Sequence, residues 1–255
     1  MVALVAAAIE GRRVAVVTGA GQGIGRAVAE ALAEDGLQVV IVDRNPDRGE
    51  RVASEIGGGA VAAIADVTDE AAVARIAGEV MERFGRWDVL VNNAGKVLFG
   101  DVETTTVETW DTVFDGNIKS AWLCTRAAAP HMKRQRSGRV ICFSSIVALG
   151  AEGENLMAYT TSKAAVLGFV KAAAREFGPY GVTVNAVVPG TVKTDAWQKF
   201  PDPAGLETAR SRVSILGRVA EPRELARAVA YLASPDAGFV TAQTLVVDGG
   251  RIDKI

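Results

Sequence analysis

The chain has 255 residues, with 28 Lys+Arg against 30 Asp+Glu and a formal net charge of −2. Apolar residues make up 49 % and charged residues 23 %, a globular composition rather than a disordered or fibrous one. Near-neutral charge gives no general attraction to nucleic acid or to an anionic membrane. One histidine, His131, and two cysteines, Cys124 and Cys142, exclude multi-histidine metal sites, zinc ribbons and CxxC redox pairs. No metal site is expected. Two lone thiols suit a reducing cytoplasm better than a disulfide framework. No stretch approaches the ~18 consecutive apolar residues that span a bilayer. Met1–Ile9 is apolar but is not preceded by a basic residue, so it reads as a short tail on the domain rather than a signal peptide.

From Arg13 onward, short Val/Ile-rich runs alternate with helical patterns. The first strand is Val14–Val17, followed by a glycine-rich turn and a helix from about Ile24 to Asp35 that Gly36 stops. A second strand, Gln38–Val42, ends at Asp43; a helix over Pro46–Ile56 leads to a third strand, Ala60–Ala65. Asp69 can cap the next helix, which runs to Phe84 and ends at Gly85. Strand four is Asp88–Val91, helical patterns cover Thr106–Asp115 and Asn117–Arg136, and strand five is Arg139–Phe143. Met157–Phe177 reads as a helix, Val182–Val188 as strand six, Pro222–Leu232 as a helix and Thr244–Val247 as the last strand. The segment Thr191–Arg218 shows no clear period and reads as a binding excursion. Alternation of this kind predicts an α/β protein with a parallel sheet covered on both faces. The expected organisation is one domain over residues 1–255, with a substrate loop at about 191–218.

The first turn reads Thr18-Gly19-Ala20-Gly21-Gln22-Gly23-Ile24-Gly25, with strand before it and helix after it. A turn without side chains lets backbone approach a pyrophosphate, and the helix N-terminus supplies N–H groups and the positive dipole end. A glycine turn can also merely pack helix on strand, but the strand–turn–helix frame here is complete. Asp43 lies 20 residues beyond Gly23. A carboxylate there can accept from both ribose hydroxyls and repels a 2′-phosphate, which predicts NAD rather than NADP. Arg44 beside it can stack on adenine or soften that preference.

Tyr159 and Lys163 are four apart in a helical pattern, so they share one face. An ammonium beside a phenol lowers the tyrosine pKa from its usual value of about 10 and makes a usable general acid/base. Ser145 lies 14 residues earlier, just past a strand end where parallel sheets place their ligand crevice.

With these residues in view, the sequence resembles the short-chain dehydrogenase/reductase family from Arg12 to Gly250. The matching motifs are Thr18–Gly25, Asp66-Val67, Asn92-Asn93-Ala94-Gly95, Asn117, Ser145, Tyr159-x-x-x-Lys163, Pro189-Gly190 and the ending Gln243–Gly250. The resemblance implies a single-domain Rossmann fold with seven parallel strands in the order 3-2-1-4-5-6-7. It also implies that Tyr159 donates or accepts the proton, Lys163 lowers its pKa and holds the nicotinamide ribose, Ser145 bonds the substrate oxygen, and Asn117 fixes a water linking Lys163 to solvent. Gly19, Gln22, Gly23, Ile24 and Gly25 would cradle the pyrophosphate, with Asp43 and Arg44 at the adenosine ribose. Asp66 and Val67 would contact adenine. Asn93, Ala94 and Gly95 would face the ribose side. Pro189, Gly190, Val192 and Thr194 would hold carboxamide and phosphate. The expected reaction interconverts a secondary alcohol and a ketone with NAD(H). An NADPH-dependent 3-oxoacyl or other carbonyl reductase is the first alternative, and an inactive nucleotide-binding regulatory subunit or a sugar-nucleotide epimerase the more distant ones. The family resemblance further implies a homotetramer, with a homodimer as the lesser form.

Two positions depart from the family pattern: Lys96, where an apolar residue is usual, and Ala242, where a glycine is common. Lys96 reads as reaching solvent or facing a substrate carboxylate. His131 reads as a surface residue, and Cys124 and Cys142 as buried small apolar groups. By analogy, Val147, Leu149, Met157, Trp197 and Phe200 line a partly apolar substrate site, and Lys96, Lys193 and Lys199 leave room for an acidic substituent.

Overall fold

The computed structural model describes residues 11–150, 154–195, 202–212 and 214–252. Met1–Ile9, Trp197, Lys199 and Phe200 lie outside the described residues. The strands are β1 (Val14–Thr18), β2 (Gln38–Asp43), β3 (Val61–Ile64), β4 (Val89–Asn92), β5 (Gly138–Phe143), β6 (Val182–Pro189) and β7 (Thr244–Val247). They form one seven-stranded sheet in the order β3-β2-β1-β4-β5-β6-β7, every pair parallel. The helices are α1 (Gly23–Glu34), α2 (Pro46–Ile56), α3 (Glu70–Phe84), α4 (Val107–Phe114), α5 (Ser120–Gln135), α6 (Met157–Phe177), α7 (Pro203–Ser211) and α8 (Pro222–Ala233).

Strand alternation divides the core in two. Val14 and Val16 of β1 join a cluster with Val73 and Ile76 of α3, Leu123 and Met132 of α5, and Val166 and Val170 of α6. Ala15 and Val17 face the other way, onto Val28 and Leu32 of α1, Val52 of α2, and Leu225 and Val229 of α8. Both faces of the sheet are therefore covered, and all residues of β1, β2 and β6 are buried. The strand ends at Thr18, Asp43, Asn92 and Phe143 all point to one edge, above the point where the chain order reverses between β1 and β4.

Local chemistry sets several boundaries as the sequence predicts. Asp69 caps α3 by accepting from the Ala71 N–H, and Gly85 ends it in the left-handed region. Elsewhere the structure differs from expectation. The patterns at Thr106–Asp115 and Asn117–Arg136 are not separate helices: a π turn over Asp115–Lys119 runs α4 into α5. Ser120 Oγ donates to the Gly116 carbonyl within that turn. The excursion at 191–218 contains α7, with Asp202 accepting from Gly205 N–H and Pro203 at its first turn. His131 is half-buried rather than a surface residue. Its Nδ1 is buried without a hydrogen-bond partner among the described residues, and burial, with Arg134 nearby, lowers its pKa. Among the described residues no helix is long and apolar enough to cross a membrane.

Ala242 takes φ of 59° where a glycine would be unstrained. The left-handed conformation costs a non-glycine residue about 1–2 kcal/mol, part of which a glycine loses again as unfolded-chain entropy. Ala242→Gly is expected to raise stability by roughly 0.5–1 kcal/mol, read as a higher urea midpoint at unchanged m-value.

Candidate active site

The turn after β1 is tied to the end of β4. Thr18 Oγ1 accepts from the N–H groups of Asn93 (3.1 Å) and Ala94 (3.0 Å) and donates to the Val91 carbonyl. Asn93 Nδ2 in turn donates to the carbonyls of Thr18 (2.9 Å) and Gly19 (3.2 Å). Gly25 is required by this crossing, because a Cβ there would lie 2.4 Å from both Asn93 Nδ2 and the Gly19 carbonyl oxygen. Asp43 holds the turn from the other side: Oδ2 accepts from Gly21 N–H and Oδ1 from Asn45 N–H, each at 2.9 Å.

The result is a groove of about 500 Å³ along the strand ends. Of the cofactor residues read from the sequence, those of the glycine turn, Asp43 and Arg44, Asp66 and Val67, the Asn93–Gly95 run and Thr194 line it together. Burial works against the charge of Asp66. Hydrogen bonds from the Thr68 N–H and hydroxyl, with Arg44 and Lys96 nearby, outweigh this and hold its carboxyl below the usual range. Lys96 also stands in the groove wall.

Pro189, Gly190 and Val192 do not line this groove. Gly190 N–H donates to the Val247 carbonyl, and a Cβ on Gly190 would come within 2.6 Å of Asp248 Cα, so this glycine serves the crossing of the chain over the end of β7. Val192 is buried beside a bridge to Ala220.

The second cluster stands where β5 gives way to α6. The Ser145 hydroxyl stands beside the Tyr159 hydroxyl and acts to lower its pKa. One helical turn on, Lys163 is buried and its Nζ donates to the Phe143 carbonyl at 2.9 Å, 5.8 Å from the centre of the Tyr159 ring. Gly95 connects the clusters: a Cβ there would meet Asn117 Oδ1 at 2.8 Å and Lys163 Nζ at 3.4 Å.

One sequence expectation needs correction. Burial raises the Tyr159 pKa, opposed by the Ser145 hydrogen bond, so the phenol is not made more acidic by its lysine neighbour. The reason is that burial disfavours the ammonium as well, lowering Lys163 to about 8, and the lysine is directed at a backbone carbonyl. Asn117 makes no direct side-chain hydrogen bond to Lys163 among the described residues. Its Oδ1 accepts from Lys96 N–H (2.7 Å), and its Nδ2 donates to the Lys96 carbonyl (3.0 Å) and to Ser162 Oγ (2.9 Å). Ser162 Oγ then donates to the Tyr159 carbonyl at 2.7 Å. Asn117 thus staples the loop after β4 to the first turns of α6.

Sequence reasoning missed Ser162 and Asp195. Ser162 sits beside Lys163 and could have been suspected only from a buried neighbour across 45 residues. Asp195 follows Thr194 and accepts from Gly23 N–H at 3.1 Å, a contact across 172 residues. The thiols of Cys124 and Cys142 are buried as expected, with burial pushing them up to about 12 and about 11. Among the described residues no cluster of His, Cys, Asp and Glu is placed to hold a metal.

Fold and site together describe an oxidoreductase of the doubly wound class, with a nucleotide groove beside a tyrosine–lysine pair. The family described as enoyl-(acyl carrier protein) reductase matches residues 19–251. The chain is 40 % identical over 252 residues to the short-chain reductase protein NovJ of Streptomyces niveus, covering 96 % of this chain and 95 % of that one. It is 40 % identical over 241 residues to the 3-oxoacyl-[acyl-carrier-protein] reductase FabG of Staphylococcus aureus, covering 92 % and 96 %. The crystal structure of YwfH, titled an NADPH dependent reductase involved in bacilysin biosynthesis, superposes with a TM-score of 0.91 at 27 % identity, covering 96 % of this chain and 100 % of that one. The chain belongs to the short-chain dehydrogenase/reductase family, whose enzymes work with a nicotinamide cofactor.

The lowered Lys163 pKa has a consequence for stability. Its value of about 8 in the fold lies below the 10.5 of a free lysine. Between these values the unfolded chain binds more protons than the folded one, so this residue makes stability rise with pH across that interval. Lys163→Met is expected to lose that rise, measured by urea unfolding at pH values spanning about 8 to 10.5.

Proposed function

We propose that the chain is a carbonyl reductase that also runs in reverse on secondary alcohols, with Tyr159 exchanging the proton. The observation that carries this reading is the buried Lys163 one helical turn from Tyr159, abutting the groove at Gly95, with the Ser145 hydroxyl beside the phenol. The groove fits a dinucleotide: side-chain-free backbone approaches at the glycine turn, the N-terminus of α1 opens onto it, and acidic and basic side chains stand at the ribose end. When bound, the cofactor supplies the hydride chemistry. The protein supplies orientation and the proton. Because burial raises its pKa, Tyr159 is protonated at neutral pH and positioned to donate to a carbonyl oxygen as charge develops there. Ser145 supplies a second hydrogen bond to that oxygen. Lys163, whose proton affinity burial lowers to about 8, stands one helical turn away and can return a proton to the tyrosine after it donates. Asn117 acts as a positioning residue through Ser162.

Cofactor choice turns on the ribose end. Asp43 supports NAD(H), because a fixed and nearly buried carboxylate repels a 2′-phosphate. A second reading, NADPH, is favoured by Arg44 and Arg48, which stand in the same groove wall, and by the likeness to YwfH, an NADPH dependent reductase. The ratio of kcat/KM for NADH and NADPH decides between them.

The substrate approaches past apolar side chains. Gly100 bridges to Leu156 at the start of α6, Val97, Phe99 and Met157 in the flanking chain are exposed, and Val147 and Leu149 follow Ser145 in a 3-10 turn. This supports a ketone with an apolar substituent, with the 191–218 segment completing the substrate side. The exposed side chains of Trp122 on α5 and of Tyr231 and Phe239 near the sheet edge support a homotetramer, and the two buried thiols support a cytoplasmic setting.

Tyr159→Phe is expected to reduce turnover to below a few per cent while NADH affinity, read by fluorescence titration, stays within about twofold. Substantial residual turnover would overturn the assignment. The alcohol oxidation rate is expected to climb with pH from about 6 to about 10 without reaching a plateau, because burial raises the phenol above its usual range, and the reduction rate to stay level over the same interval, in steady-state assays limited by chemistry.

A further inference from the structure

We infer that Asp195 competes with the cofactor's pyrophosphate for the N-terminus of α1 and thereby sets how tightly the enzyme holds its nucleotide. This rests on the dinucleotide reading of the groove and adds a residue that limits its affinity.

The geometry is specific. Gly23 is the first residue of α1, and its N–H is one of the groups that a helix N-terminus offers to an anion. Asp195 Oδ2 accepts from that N–H at 3.1 Å. Thr194 lies over the same glycine, with its Cβ and Cγ2 each 3.6 Å from where a Gly23 Cβ would be. Both residues line the nucleotide groove. Arg26, one turn along α1, lies within electrostatic reach of Asp195, although its guanidinium is already bonded to Glu30 and Glu55.

The chain leading to Asp195 is fixed at its base. Lys193 N–H donates to the Ala220 carbonyl (2.8 Å) and Ala220 N–H to the Thr191 carbonyl (3.0 Å), so Val192 and Ala220 form a short parallel bridge. The Lys193 ammonium pairs with Glu207 of α7 at 2.8 Å. Asp195 itself is exposed. It can therefore rotate away from Gly23 without disturbing the bridge behind it.

A carboxylate and a pyrophosphate cannot share one N–H at close range, since like charges in a groove repel. Binding must displace the Asp195 contact, and the apparent dissociation constant is the intrinsic one divided by the fraction of molecules in which the contact is open. Adenosine alone carries no phosphate and has no such competitor.

The test compares wild type, Asp195→Asn and Asp195→Ala by calorimetric titration with NADH, NADPH, ADP-ribose and adenosine. Asn keeps an acceptor but loses the charge; Ala loses both. The expected result is about threefold to tenfold tighter binding of ADP-ribose and of the preferred dinucleotide in both variants, with adenosine affinity unchanged. Unligated melting temperatures should match wild type, which shows that the exposed substitutions leave the fold intact. Unchanged or weaker binding of ADP-ribose in both variants, with wild type still binding the dinucleotide, overturns the role of Asp195 alone. A wild-type protein that binds neither dinucleotide nor ADP-ribose overturns the groove reading, and this inference with it. Tightening of adenosine by the same factor also counts against it, because the effect would not depend on phosphate.

Discussion

A buried ammonium needs an acceptor, and Lys163 finds one in the carbonyl of Phe143. No acidic side chain among the described residues pairs with it, so burial lowers its proton affinity substantially. Much of the surrounding architecture serves to keep this lysine in place. β5 must end at Phe143 to present the carbonyl, and Ser144 Oγ donates to the Lys163 carbonyl, fixing the helix to the strand end. Gly95 must lack a side chain because a Cβ there would clash with Asn117 Oδ1, the atom that holds the loop after β4 beside the lysine. The parallel sheet brings these pieces to the same edge because every strand ends there.

The two functional clusters are linked mechanically by a short run of backbone. Asn93 fastens the glycine turn to β4, and a few residues on, Lys96 is held at both its N–H and its carbonyl by Asn117. Asn117 reaches α6 through Ser162. The π turn over Asp115–Lys119 is where that asparagine sits, inside what would otherwise be one continuous helix. Such insertions often mark functional positions in helices.

Most of the fold was legible because its signals are local. Val/Ile runs, the caps at Asp69 and Gly85, and the strand–turn–helix frame around Gly19–Gly25 each lie within a few residues of one another, and the alternation of elements implies the parallel sheet. The Tyr159 and Lys163 pair was legible for the same reason, since a spacing of four fixes a shared helix face. What escaped was set by distant parts of the chain. The π turn leaves no period in the hydrophobic pattern, and α7 carries its Asp202 and Pro203 start signals without an apolar stripe to support them. The Ser162 and Asp195 contacts join residues 45 and 172 positions apart. The direction of the Tyr159 pKa shift depends on burial, which no motif records.

Asp43 on β2, proposed for the ribose end of the groove, and the Tyr159–Lys163 pair on α6 stand on opposite sides of the topological reversal, and no hydrogen bond among the described residues runs directly between them. Substitutions at such separated places combine additively to a good approximation. Lineages of this chain can therefore drift from one dinucleotide to the other, or be redesigned to do so, while the acid–base apparatus is inherited unchanged.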